Sequence, residues 1–247
     1  MGNPLRLNSG FTQDTVWQPL GGIGVPNPFF YSQFHDDFQP YQAGKYTVMA
    51  SGGSVAQTTA NGTGGRILFT TGATIGNFAE IQVDSFGFNY SVGKKFAFLA
   101  RLQLADIVNS AVIAGMISSN TTPFSAVADG IYFYKAAAGS VLQLIAVTGS
   151  TVVGSTNLPS GLLAVATDID LGIYVNPEGD IKAFAGLNLI GQKRQNVAVL
   201  GPTASILKSA LSGALSTANL TPTLAVSAST AAAQTMVADF LLGAQER

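Results

Sequence analysis

Apolar and polar residues alternate with a period of two along much of the chain from Tyr46 onward. Between Lys95 and Leu104, the residues Phe96, Phe98, Ala100, Leu102 and Leu104 share one face of an extended segment. Ile169, Leu171, Ile173 and Val175 alternate with Asp168, Asp170, Gly172 and Tyr174, and Thr235–Leu241 and Ala79–Val83 follow the same rule. This is the period of a β-strand, in which successive side chains point to opposite faces. Ile131–Tyr134 and Val141–Val147 are short runs of the β-branched and aromatic residues that strands favour. Gly, Ser, Thr, Asn and Pro clusters separate these segments, and Asn176-Pro177-Glu178-Gly179-Asp180 has the composition of a hairpin turn. The spacing predicts an all-β, two-sheet antiparallel sandwich over residues 41–247. A single short helix is expected over Ala204–Leu215, weakened by Gly213 and the serines. No internal repeat of about 20–50 residues stands out.

Residues 1–40 read differently. Pro4, Pro19, Pro26, Pro28 and Pro40, with the run Gly21-Gly22-Ile23-Gly24, leave no sustained period, and such a density of breakers excludes a regular element. The same segment holds Phe11, Trp17, Phe29, Phe30, Tyr31 and Phe34. Large apolar side chains are rare in purely solvated tails, so an extended arm that orders on a neighbouring surface is expected. Trp17, Phe29, Phe30 and Tyr31 are its candidate anchors, because large aromatics dominate the energetics of interfaces. Packing of these rings onto the chain's own sandwich is the competing expectation.

Charge changes the picture most. The 247 residues include 12 Lys and Arg and 13 Asp and Glu, a charged fraction of 10% against roughly 25% in ordinary soluble domains. Residues 136–167 and 209–238 carry no ionisable side chain at all, yet Ser, Thr, Gly, Asn and Pro interrupt both, so neither reads as a membrane span. Met1–Leu7 lack the apolar run of a secretory signal. A surface so poor in charge favours association, and an assembly component is expected. The net charge of −1 offers no field for nucleic acid or an anionic membrane. The absence of Cys removes disulfides and thiolate chemistry, and a single His, His35, leaves no His-pair metal site. No cofactor is expected.

Three polar groups are candidates for chemistry. His35-Asp36-Asp37 places two carboxylates beside an imidazole, but neighbours on a strand face opposite ways and do not readily share a ligand. Glu80, Gln82 and Asp84 fall on one face at i, i+2 and i+4. That row resembles the catalytic strand of β-jelly-roll glucanases, whose pattern is Glu, apolar, Asp, apolar, Glu. Retaining glycosidases need two carboxyl groups about 5 Å apart, and here Gln82 replaces the central acid. A solvent-facing strand accounts for the row without chemistry. Asp168 and Asp170 share a face with Tyr174, an arrangement suited to calcium or a sugar or, more simply, to an outer strand surface. Gly62-Thr63-Gly64-Gly65 lacks the lysine and helix of a phosphate loop and reads as a turn, as does Lys94-Lys95 before a strand. Lys193-Arg194 is too small a basic cluster for nucleic acid. No Ser, His and Asp set can be assembled around His35.

From His35 to the C-terminus the chain resembles a concanavalin A-like (laminin G-like) jelly roll found among tailed-phage virion proteins. The resemblance runs through His35-Asp36-Asp37-Phe38, Gly93–Asp106, Ala126–Phe133, Leu220–Val226 and the final strand from Ala231 through Asp239-Phe240 to Gln245-Glu246-Arg247. It covers about 210 residues and rests on pattern. It implies a capsid decoration, or cement, protein on the outer surface of the phage head, working as a homotrimer and binding the major capsid protein through arm and sandwich. A carbohydrate-binding fibre or host-recognition domain is the alternative the same fold implies, with a glycan as partner. Fold alone does not choose between them.

Overall fold

The computed structural model describes residues 31–58, 65–84, 87–187 and 202–247. The described residues form two eight-stranded antiparallel sheets packed face to face. The first sheet contains β1 (Tyr31–Asp36), β3 (Ser54–Thr58), β4 (Arg66–Thr70), β7 (Phe96–Leu104), β12 (Ile169–Val175), β13 (Ile181–Leu187), β14 (Ala204–Ile206) and β16 (Thr235–Glu246). Its strand order is β14-β13-β12-β7-β16-β4-β3, with β1 also paired to β16. The second sheet contains β2 (Tyr46–Ala50), β5 (Phe78–Val83), β6 (Phe88–Asn89), β8 (Ser110–Ile117), β9 (Gly130–Lys135), β10 (Leu142–Thr148), β11 (Thr151–Asn157) and β15 (Asn219–Ala228). It runs β11-β10-β9-β8-β15-β5-β2, with β6 beside β15. No helix among the described residues is long and apolar enough to cross a membrane.

The alternation that predicts the strands also builds the core. Phe96, Phe98, Ala100, Leu102 and Leu104 of β7 meet Ile169, Leu171, Ile173 and Val175 of β12 in the layer between the sheets. Phe133, Leu144, Val112 and Leu224 close that layer from the second sheet. The opposite face of the first sheet is not solvated either: Tyr31, Ala97, Leu99, Tyr174, Phe184, Phe240 and Leu242 form a second buried cluster there. The hairpin at 176–180 is present, with the Asp180 N–H donating to Asn176 Oδ1 and Gly179 at φ +96°, a backbone region that glycine enters without steric cost.

Two expectations need correction. The boundary between arm and sandwich falls before residue 40, because Tyr31–Asp36 pairs along β16 from Tyr31↔Glu246 to Asp36↔Leu241. Alternation decides this: Tyr31 enters the outer cluster of the first sheet while Phe34 packs against the inter-sheet core. Trp17, Phe29 and Phe30, with the rest of residues 1–30, lie outside the described residues. The helix expected at Ala204–Leu215 is a three-residue strand followed by a single 3-10 turn at Lys208–Ala210. Ile206 is worth more buried opposite Ile181 on the sheet than in a short, serine-weakened helix.

Phe133 is fully buried in the inter-sheet layer, and removing its ring leaves a cavity that rigid sheets cannot close. Phe133→Ala is expected to lower unfolding stability by about 3–5 kcal/mol, measured by urea denaturation at constant denaturant slope.

Candidate functional site

Each of the three polar groups resolves into a defined environment. At the end of β1, Asp36 is buried and fully engaged: its Oδ1 accepts the Phe38 N–H at 2.8 Å, and its Oδ2 accepts from Tyr46 Oη at 2.8 Å and Lys45 Nζ at 3.1 Å. Burial, and then the neighbouring Asp36 carboxylate, raise the Tyr46 hydroxyl well above the ordinary phenol range. Tyr46 stacks on Tyr41 at 5.7 Å and meets Phe34 edge-on at 5.9 Å. Asp37, half-buried, instead caps the Gln39 N–H. The two carboxylates therefore do not converge on one ligand. Asp36 pins the corner where β1 leaves the first sheet.

On the first sheet's outer face, Asp170 is fully buried and held by Arg101, whose Nε donates to Oδ1 at 2.7 Å and whose Nη2 donates to Oδ2 at 3.1 Å. This planar two-point pairing is among the strongest side-chain contacts available. Arg101 Nη1 also lies 3.6 Å from Asp239, Arg66 Nε lies 3.8 Å from Asp239, and Arg66 Nη2 reaches Asp168 at 2.7 Å. Asp239 stands where the register of β16 against β7 shifts, between Ala238 and Phe240, and a bulge of this kind re-aims a side chain. Five charges thus run across β12, β7, β16 and β4. The carboxylates offered for calcium are bound to guanidinium groups instead. Tyr174 does not join them; it is buried with Tyr31 and Phe184, and burial, with Glu178 adding to it, pushes its hydroxyl up to about 12.

The row on β5 is the most informative. Glu80 and Gln82 lie on the outer face of the second sheet, and both are buried rather than solvent-facing. Glu80 sits between Met49 of β2 and Ala225 of β15, and Gln82 between Thr47 and Thr223. The loop 118–129 folds back over this face: the Asn120 N–H donates to Gln82 Oε1 at 3.0 Å, while Phe124 and Val127 pack on Ile113, Ile117, Tyr132 and Ala225. Gln82 Nε2 donates to Thr223 Oγ1 at 3.2 Å. Glu80 receives nothing; neither carboxyl oxygen has a hydrogen-bond partner. Burial alone pushes its carboxyl up to about 8, so it is a neutral acid at pH 7. Asp84 lies beyond the end of β5, exposed, with its own N–H donating to Lys45 O. The two acids do not face one another across a cleft.

The ionic side chains that go unsignalled by the motifs include Lys45, Arg66, Arg101, Asp239 and Lys135. Lys135 is fully buried, its Nζ donating to the carbonyls of Ser110 and Ala136, and burial lowers its amine to about 8. The available signal is scarcity: in a chain with so few charges, one inside an apolar strand run has a structural reason to be there. Lys94-Lys95 lies at a turn before β7, as expected; Gly62, Thr63 and Gly64, with Lys193 and Arg194, lie outside the described residues. No three His, Asp or Glu side chains gather as a metal-ligand set among the described residues.

No protein-family model and no curated protein sequence matches this chain. Solved structures do. A protein of unknown function from Shewanella oneidensis MR-1 superposes with a TM-score of 0.58 at 10% identity, covering 88% of this chain and 87% of that one. The Bacillus licheniformis β-glucanase gives 0.58 at 10% identity over 86% and 97% of the two chains. The carbohydrate recognition domain of Emp46p, in its metal-free form, gives 0.51 at 7% identity over 83% and 90%. The fold is the concanavalin A-like jelly roll, shared by glucanases and carbohydrate-recognition domains. At such identities the likeness is one of fold, and the chemistry rests on the residues described above.

The isolated Glu80 makes a signed prediction. The unfolded carboxyl ionises at about pH 4.3 and the folded one at about 8. Stability is therefore greatest below the lower value and falls by up to roughly 1.4 kcal/mol per pH unit until the folded group ionises. Glu80→Gln has no such proton to lose. Its stability relative to the natural chain should climb from pH 5 to 8 and then level off in urea unfolding series; a flat difference contradicts the assignment.

Proposed function

We propose that this protein is a non-catalytic structural subunit of a tailed-phage particle, a decoration protein that binds and stabilises the outer surface of the head. The observation that carries the non-catalytic part is Glu80: it is buried, unpartnered and neutral, with no second carboxyl beside it. Glycoside cleavage needs an acid and a nucleophile or base flanking one bond, and among the described residues this sheet face offers Glu80 no second carboxyl, while Glu80 itself is buried. The likeness to the glucanases among the structural neighbours is one of scaffold.

Support for a structural role comes from the surface. Most of the ionic groups singled out above are consumed inside the fold, which leaves an exterior poor in charge, as interface cores are. A subunit that binds only the assembled shell stabilises it by its binding free energy. The major capsid protein is the proposed partner, and copies of the chain acting as a homotrimer complete the assembly. Tyr31 is buried against its own sheet, so the proposed shell contacts of the N-terminal segment fall to Trp17, Phe29 and Phe30.

Deletion of residues 1–30, which spares β1, tests the role of that segment. The full chain should bind saturably to phage heads prepared without decoration protein and raise their temperature of DNA release. The truncated chain should keep its β-sheet circular dichroism and cooperative unfolding while losing head binding. Failure of the full chain to bind heads, together with saturable binding to a glycan array, would replace this reading with the carbohydrate-recognition one.

A further inference from the structure

Residues 118–129, between β8 and β9, form a flap with its own internal frame. At its base the Ser118 N–H donates to Asp129 O and the Asp129 N–H to Ser118 Oγ. The turn after β10 holds the same end, through Ser150 N–H to Ala128 O and Gly149 N–H to Asp129 Oδ1. Farther out, Asn120 Nδ2 donates to Ala126 O, the Thr122 N–H to Asn120 Oδ1 and the Ser125 N–H to Thr122 O. Beyond the base its hold on the sheet is slight. Among the described residues one hydrogen bond crosses from flap to sheet, Asn120 N–H to Gln82 Oε1 at 3.0 Å. The rest is apolar: Pro123 and Val127 are buried and Phe124 half-buried, while Thr121, Thr122, Ser125 and Ala126 are exposed. Val127 and Phe124 join the cluster of Ile113, Ile117, Tyr132, Val147 and Ala225.

Glu80 adjoins both points that the flap holds: Gln82 is two residues on along β5, and Ala225 is its partner across β15. Its carboxyl is fully buried, and neither oxygen has a hydrogen-bond partner. No group on the elements around it can balance a negative charge there. β8 and β15 carry no ionisable side chain, and the one on β2, Tyr46, packs into the inter-sheet core. Lys45, just before β2, is held by Asp36. On β9 stand the phenols Tyr132 and Tyr134, and Lys135, whose amine donates to the Ser110 and Ala136 carbonyls. Asp129 at the base of the flap and Asp84 past the end of β5 are further acids. Gln82 is engaged on both amide atoms, by Asn120 and Thr223.

We propose that the 118–129 flap is a proton-gated lid, shut while Glu80 keeps its proton and swung off the sheet when Glu80 ionises. A buried carboxylate with neither donor nor cation is far costlier than the neutral acid it replaces. Breaking the Asn120–Gln82 hydrogen bond and lifting Phe124 and Val127 lets water reach the carboxylate, with both sheets left intact. The proton passes to solvent. What the movement uncovers is the apolar cluster around Ile113 and Tyr132, so a rise in pH is converted into exposed apolar surface. The lid belongs to a single chain and is independent of the shell-binding reading.

Native-state hydrogen exchange at the Asn120 amide of the full chain is the test. Between the ordinary carboxyl range, about pH 4.3, and the shut-form value of about 8, the opening constant rises up to about tenfold per pH unit. The Asn120 protection factor should fall by the same factor and then level off. Its exchange should not respond to low urea, the mark of a local opening. The Leu171 amide, on β12 in the middle of the first sheet, should exchange more slowly and speed up with urea. Glu80→Gln should abolish the pH trend at Asn120. Ala225→Cys gives a second readout that leaves Glu80 in place. In a chain without native cysteine, its labelling rate, corrected for thiolate fraction, should rise over the same pH range. Asn120 exchange that follows Leu171 and urea, a pH trend kept by Glu80→Gln, or pH-independent opening in the natural chain would overturn the lid.

Discussion

Covering both faces of two large sheets with very few charges is the constraint on which this structure depends. An antiparallel sandwich ordinarily buries one face of each sheet and solvates the other. Here the outer faces also carry buried apolar clusters, one around Tyr31, Tyr174 and Phe240 and the other around Ile113, Tyr132 and Val127. The first includes Tyr31 of β1, a strand of the same sheet. The second is closed by the 118–129 loop. Where a sheet face is buried, a charged side chain on it must be paired or neutralised, and the chain does both.

The two solutions differ in physical character. On the first sheet, Asp170 keeps its charge because Arg101 satisfies both carboxylate oxygens, and the chain of contacts to Asp239, Arg66 and Asp168 spreads the ions over four strands. Removing one partner from such a set would strand a buried charge, which costs several kcal/mol. On the second sheet, Glu80 has no cation, so it gives up its charge and holds a proton instead. Neither solution leaves a carboxylate free for a metal or a substrate. The same burial that stabilises the jelly roll closes Glu80 and Asp170 off from solvent.

Much of this was legible in the sequence where a single strand carries its own evidence. The period of β7 and β12 and the 176–180 turn are local signals, and each appears where expected. What failed depended on distant residues. Glu80 and Gln82 alternate with apolar neighbours as a solvated strand does, and only the loop 118–129, nearly forty residues on, turns their face into an interior. Asp170 finds Arg101 across 69 residues of chain. The strand Tyr31–Asp36 follows a proline-rich stretch and is short, so its period is hidden until β16 supplies a partner. For Ala204–Leu215 the preference of Ile206 for the sheet outweighs weak local helix propensity.

The central claim is that the one sheet-face carboxyl of the glucanase-like row is sealed and protonated. Carbon-detected NMR of the Glu80 carboxyl through a pH titration tests it most directly. The account predicts a protonated signal through neutral pH, a midpoint at about 8, and no response to added β-glucan oligosaccharides. A midpoint in the ordinary carboxylate range, with a shift on adding the oligosaccharide, would contradict it and identify an open, sugar-facing acid.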